Sequence, residues 1–228
     1  MAVLYRGDPP VPADVTYRVR RTTDHEHLFR NDDGWHAAQR IAWGPERWKT
    51  HFRALAAAAG LVARFDCVDD SPWHTMTSRD DHLWEEEVVE IFLDPAGRGR
   101  DYLELEISPA NAVCDLIVGS PWPELQGDLE WDLPGLRTQV KPWIAPEAGP
   151  AGWTVVALLP WDGILEASRT IGVPAPPASG ARWQFNTFRI KRPGGPANPE
   201  SDALYAAWSV PDGPSFHVPA AFRTMIFD

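Results

Sequence analysis

The sequence predicts an all-β protein. The expected form is an antiparallel β-sandwich, with jelly-roll or immunoglobulin-like layers and at most one or two short helices. Three observations carry this expectation. About ten short segments show the two-residue alternation of half-buried strands, with turn residues between them. The chain holds 23 Pro in 228 residues, and Pro lacks a donor and clashes inside a helix, which argues against long helices. It also holds 12 Trp, a residue that suits a sandwich core and equally suits a surface that stacks on flat ligands.

Residues 1–30 are assigned to an N-terminal extended arm and 31–228 to the sandwich. The arm is Pro-rich as far as residue 15, and residues 15–19 alternate (Val15, Tyr17 and Val19 against Thr16 and Arg18) as a first strand. Asn31, Asp32, Asp33 and Gly34 form a turn cluster, followed by irregular chain through residue 46. Residues 52–59 are helical in composition. Gly60 follows them, however, and residues 61–68 alternate, so the reading is a hairpin with strands near 50–57 and 61–68. A single short helix is the alternative. Further strands are expected at 112–118, 138–143, 153–159, 182–190, 203–209 and 222–227. A long loop at 119–135 carries Trp122 and Trp131, one short helix starts near 160, and 172–181 is a Pro-rich and Ala-rich loop.

The most informative stretch is residues 79–107, which reads as an acidic, aromatic-led approach, a strand, a Gly-rich turn and a second strand. Side chains alternate across a strand. Glu86, Val88, Glu90 and Phe92 therefore share one face, and Glu87, Val89, Ile91 and Leu93 the other. In the second strand Tyr102, Glu104 and Glu106 oppose Leu103, Leu105 and Ile107. One side of this hairpin is expected to be core, and the other an aromatic and acidic surface. Like charges on paired strands repel, so Arg189 and Arg79 are the expected neighbouring cations.

Composition excludes several function classes. A formal net charge of −11 repels a phosphate backbone or an anionic membrane, and no run of about 18 apolar residues exists to span a bilayer. Neither nucleic acid nor membrane is an expected partner. The N-terminus has no apolar stretch long enough for a secretory signal, which leads to the expectation of a cytoplasmic protein. Cys67 and Cys114 form no metal or redox spacing and are read as two small core residues. Paired carboxylates raise the question of glycoside hydrolysis, but nothing in the sequence marks a nucleophile or encloses a substrate, so no catalytic residue is assigned. No metal ligand is assigned either. Structural calcium stays open, with Asp94–Asp101 and the oxygen-rich 66–70 considered and neither showing ligand spacing. His74, His82 and His217 are read as loop or surface residues rather than zinc ligands.

Several stretches together resemble the family 9 carbohydrate-binding modules, which share a sandwich with DOMON-type domains. They are Leu83-Trp84-Glu85-Glu86-Glu87-Val88-Val89-Glu90-Ile91-Phe92-Leu93-Asp94, Tyr102-Leu103-Glu104-Leu105-Glu106-Ile107-Ser108-Pro109, Trp183-Gln184-Phe185-Asn186, Ala207-Trp208-Ser209 and Phe216-His217-Val218-Pro219. The resemblance implies a non-catalytic module that holds a sugar end between two aromatic side chains and hydrogen-bonds its hydroxyls. By position, Trp84 matches the first aromatic, Glu90 the carboxylate beside it, and Phe216 the second aromatic. Glu106, Phe188 and Gly213 depart from the pattern, standing where sugar-binding members have arginine, glutamine and asparagine.

The expectation is therefore a protein that binds a mono- or oligosaccharide and serves carbohydrate catabolism. Trp84 and Phe216 would stack on the sugar, while Glu90, Glu104, Glu106, Asn186 and Arg189 would bond its hydroxyls. The alternative is a DOMON-like interaction, small-ligand or metal-binding domain with a degenerate sugar site.

Overall fold

A computed structural model describes residues 4–144, 151–169 and 174–228. Thirteen strands lie in two packed layers that share one strand. That strand is β1 (Thr16–Arg21), where Tyr17 and Val19 are fully buried. The helix α1 (His25–Arg30) follows, its first turn capped by the Asp24 carboxylate accepting from the His27 amide at 2.9 Å. Next come β2 (Arg40–Trp43), β3 (Thr50–Ala56) and β4 (Gly60–Val68), the last two a hairpin in register from Thr50 opposite Cys67 to Ala56 opposite Leu61.

The acidic hairpin is β5 (Val88–Asp94) and β6 (Tyr102–Ile107). Its turn needs left-handed backbone at Gly97, Gly99 and Asp101. The Asp94 carboxylate holds it by accepting from the Gly99 amide at 2.7 Å. Beyond it run β7 (Val113–Ser120), β8 (Gln126–Asp128), β9 (Arg137–Ile144), β10 (Ala151–Pro160), α2 (Trp161–Ala167), β11 (Arg182–Lys191), β12 (Leu204–Ala207) and β13 (Arg223–Phe227). One layer runs β8-β7-β6-β5-β11-β13, with β12 beside β13 on the same edge of β11. The other runs β3-β4-β10-β9, with β2 against β3. β1 pairs with β13 through residues 16–19 and with β3 through Arg20 and Arg21.

The layers bury one apolar interior between them. Val89, Ile91 and Leu93 of β5 and Leu103, Leu105 and Ile107 of β6 meet Phe52, Phe65, Val155 and Leu159. Tyr17 packs between Phe52 and Phe185 at ring distances of 5.5 and 5.4 Å. The antiparallel sandwich expected from the sequence is present, with one addition: β1 is parallel to both of its neighbours. Among the described residues, no helix is long and apolar enough to cross a membrane.

Three features differ from the sequence reading. Residues 16–30 are not arm: they hold the shared strand and a helix with buried Leu28 and Phe29. The short strands β2 and β8 were not expected, since a four-residue edge and a Gly-centred trio carry too little alternation to register. The outward face of β5 and β6 is not a solvent surface either. It lies under a second apolar cluster of Val88, Phe92, Tyr102, Cys114, Phe188, Phe216 and Phe222. Cys67 and Cys114 are both buried free thiols, one in each interior. The turn expected between the strands at 138–143 and 153–159 falls largely at 145–150, outside the described residues. Residues 172–173 of the expected loop also lie outside them.

Tyr17 is a direct test of this layout. Its hydroxyl donates to the Gln39 carbonyl at 2.7 Å and accepts from the Ala54 amide at 2.7 Å. Tyr17→Phe strands both groups in the interior and should destabilise the fold by about 1–3 kcal/mol. The expected observation is a lower urea midpoint with an unchanged slope.

Candidate functional site

The period of two assigns the central residues of β11 to different interiors. Phe188 opposes Glu90 and lies on the outward face, whereas Arg189 opposes Val89 and points between the layers. There Arg189 pairs with the Asp69 carboxylate at 2.7 Å and lies 4.7 Å over the Trp153 ring. Lys191 completes the group, bridging Asp69 at 2.9 Å and Glu87 at 2.7 Å. Burial would raise the pKa of Asp69, but the Arg189 charge and the Lys191 ammonium outweigh it and hold the carboxyl low. Arg79 is equally committed elsewhere, chelating both oxygens of Asp115 and reaching Asp132. Neither expected cation faces the glutamates.

The outward face forms the floor of a pocket of about 620 Å³, within the range of roughly 300–1,000 Å³ usual for small-molecule sites. Register places Glu90 opposite Glu106, with Glu104 one diagonal away opposite Phe92. Carboxylate oxygens of all three lie within 4.8 Å of one another. Trp84, on a single helical turn at Leu83–Glu85, lines one wall, and Phe216, Tyr205, Leu116, Leu125 and Leu129 line others. Trp84 and the three glutamates line the same pocket, so aromatic wall and acidic floor face one space. Glu86 stands outside β5. It anchors the preceding loop by accepting from the Thr75 and Met76 amides at 2.8 and 3.1 Å.

The electrostatics are unusual. Glu90, Glu104 and Glu106 are 2%, 4% and 1% exposed, and no ion pair joins them to a Lys or Arg among the described residues. Burial pushes Glu104 up to about 8. Burial and then the Glu104 charge push Glu90 far up, and burial followed by both neighbours does the same to Glu106. His217 approaches Glu104 at 3.8 Å, yet burial lowers its own pKa to about 4. It is a neutral ring, stacked on Phe92 at 4.9 Å and bonded to the Tyr102 hydroxyl at 3.0 Å.

The structure thus brings together Trp84, Glu90, Glu104, Glu106 and Phe216 of the residues expected from sequence. It leaves Arg189 between the layers. Asn186 is fully buried, its amide spent on the Ser209 carbonyl and on the Ser209 and Thr187 amides. Phe216 stacks on Phe188 at 4.3 Å and Trp84 on His82 at 4.5 Å, so each already has one face against protein. Sequence reasoning missed His217, Tyr205, Leu125 and Leu4 as lining. The Pro-rich start of the chain gave no sign that Leu4 would bridge to Tyr205 and close one wall. Leu125, about half exposed on the rim, was legible only as part of a long loop.

A larger cavity of about 840 Å³ lies on the other layer, between α1 and β9. Its Asp66 binds Arg53, Arg64 and Thr154, and it is the poorer candidate. In the 66–70 stretch considered for calcium, the carboxylates of Asp66 and Asp69 are engaged, the first by Arg53 and Arg64 and the second by Arg189 and Lys191.

No family model matches the sequence. Over 93% of this chain and 99% of its own, a Bacteroides uniformis protein with a proposed carbohydrate-binding role superposes with a TM-score of 0.69 at 17% identity. A family 9 carbohydrate-binding module from Caldicellulosiruptor kristjanssonii, in complex with glucose, superposes with a TM-score of 0.61 at 15% identity, over 94% and 96%. The chain has the fold of the family 9 carbohydrate-binding modules. A second structure from that organism, a family 9 module with cellotriose, gives 0.54 at 16% identity over 93% of both chains. By sequence, an Arthroderma benhamiae protein named "Extracellular protein" is 25% identical over 190 residues, 78% of each chain.

The raised carboxyls give a prediction with a defined sign. A group whose pKa is raised by folding stabilises the fold below its ordinary value near 4.5 and loses that stabilisation as pH climbs to the folded value, here about 8 for Glu104. In buffer free of divalent ions, the melting temperature should fall between about pH 5 and pH 9. Glu106→Gln removes one of the like charges and should melt within a degree or so of the parent at the acid end and about 2–4 °C higher at the alkaline end. Scanning calorimetry at both pH values checks it.

Proposed function

We propose that this protein binds a mono- or oligosaccharide, without catalysis, in the pocket over the outward face of β5 and β6. The observation that carries the reading is the pocket itself: an indole wall at Trp84, apolar rims, and a floor of three carboxyls. A pyranose presents C–H faces that suit an aromatic plane and hydroxyls that suit carboxyl groups. The likeness to modules holding glucose and cellotriose supports this ligand class for the same fold.

The electrostatics support a non-catalytic role. Glycosidases use two carboxyls, one protonated and one ionised, whereas here burial drives all three in the same direction.

Isothermal titration with D-glucose and cellotriose tests the proposal. Binding should be sub-millimolar, and Trp84→Ala should weaken it about tenfold or more, equivalent to ~1.4 kcal/mol. No heat with either sugar at concentrations near 10 mM, roughly −3 kcal/mol, or an unaltered affinity in Trp84→Ala, would sink the reading.

A further inference from the structure

Acidic groups recur in this fold, and each buried cluster but one carries its own cation. Asp69 and Glu87 have Arg189 and Lys191. Asp80, Asp115 and Asp132 surround Arg79. Asp66 has Arg53 and Arg64. The exception is Glu90, Glu104 and Glu106: among the described residues no Lys or Arg pairs with them, Arg192 included, although it lines the same pocket. A second observation points outward from the cluster. Oε2 of Glu104 and Oε2 of Glu106 are buried with no hydrogen-bond partner, in residues at least 96% buried that line the pocket. Buried acceptors left this way are costly unless something fills the gap.

We propose that Glu90, Glu104 and Glu106 hold a calcium ion at the floor of the pocket, and that its open side takes sugar hydroxyls. The first half stands without the carbohydrate reading; the second rests on it. The grouped donors are three carboxylate oxygens, with no imidazole nitrogen or thiolate among them, which suits a hard cation better than zinc. Calcium–oxygen distances of about 2.3–2.6 Å let ligands on one ion lie up to ~5 Å apart. Oxygens within 4.8 Å of one another fit that sphere. Calcium takes roughly six to eight ligands, so three carboxylates leave positions open to the pocket for water or for vicinal hydroxyls.

The test begins with EDTA-stripped protein and no sugar. Titration with CaCl2 should show one site, weakened at least tenfold by Glu106→Gln and unchanged by Asp132→Asn in the Arg79 cluster. No calcium heat, or loss of binding in Asp132→Asn alone, overturns the site. If Glu106→Gln fails to fold, a thermal shift of the parent protein decides instead: CaCl2 should raise the melting temperature by several degrees and MgCl2 by less. An equal response to both, or to neither, overturns the calcium assignment. D-glucose is then titrated with CaCl2 and with EDTA. Binding at least tenfold tighter with calcium supports the bridge. Equal affinity in EDTA overturns the bridge while leaving sugar binding intact. Calcium binding without glucose binding in either buffer overturns the bridge and the carbohydrate reading together, and leaves the ion site standing.

Discussion

Burial on both faces of one sheet is the constraint from which this molecule's chemistry follows. In a half-exposed antiparallel layer, alternation sorts side chains into core and solvent. Here β5, β6 and β11 are covered on their inner face by the opposite layer and on their outer face by the loops that carry Phe216 and Phe222 and by Leu4. Alternation therefore sorts side chains into two interiors, and a one-residue change of register would exchange them. Phe188 and Arg189 are adjacent in sequence yet serve different ends, one as the platform under Phe216 and the other in an ion network with Asp69.

The two interiors treat charge in opposite ways. Between the layers, each carboxylate is matched by a cation: Asp69 accepts from Arg189, Lys191, the Ser71 amide and the Trp153 indole. Such a network is costly to assemble, but removing one partner strands the others, so it fixes how the sandwich ends meet. Under the loops, three glutamates face one another with no Lys or Arg paired to them among the described residues. A stable core does not select that arrangement, and a ligand-facing floor does. The oxygens are confined by strand register rather than by flexible loops, so the floor is preorganised.

The hairpins and the grouping of Glu90, Glu104 and Glu106 on one face were legible in the sequence because alternation is a local property. The misplaced residues failed for reasons of range. Whether Arg189 would neutralise the glutamates depended on a partner 120 residues away, Asp69, which no local pattern announces. Asn186 resembled a ligand residue because its amide is polar in a strand, yet the backbone at Ser209 consumes it. The acidic face was read as solvated because the loop that roofs it, around Phe216, has no periodicity to reveal where it lies. His217 looked like a loop histidine for the same reason, although Phe92 and Tyr102 hold it in the second interior.

Trp84 and the glutamates meet as wall and floor of one pocket, and Glu86, two residues beyond Trp84, pins the loop before the turn that carries the indole. In a pocket of this kind the aromatic platform supplies shape and apolar contact, while the carboxyl floor sets whether the hydroxyls of a ligand meet donors, acceptors or a cation. Here that floor is carried by paired strands, with Glu90 opposite Glu106, so side chains set its chemistry on a backbone that register holds in place.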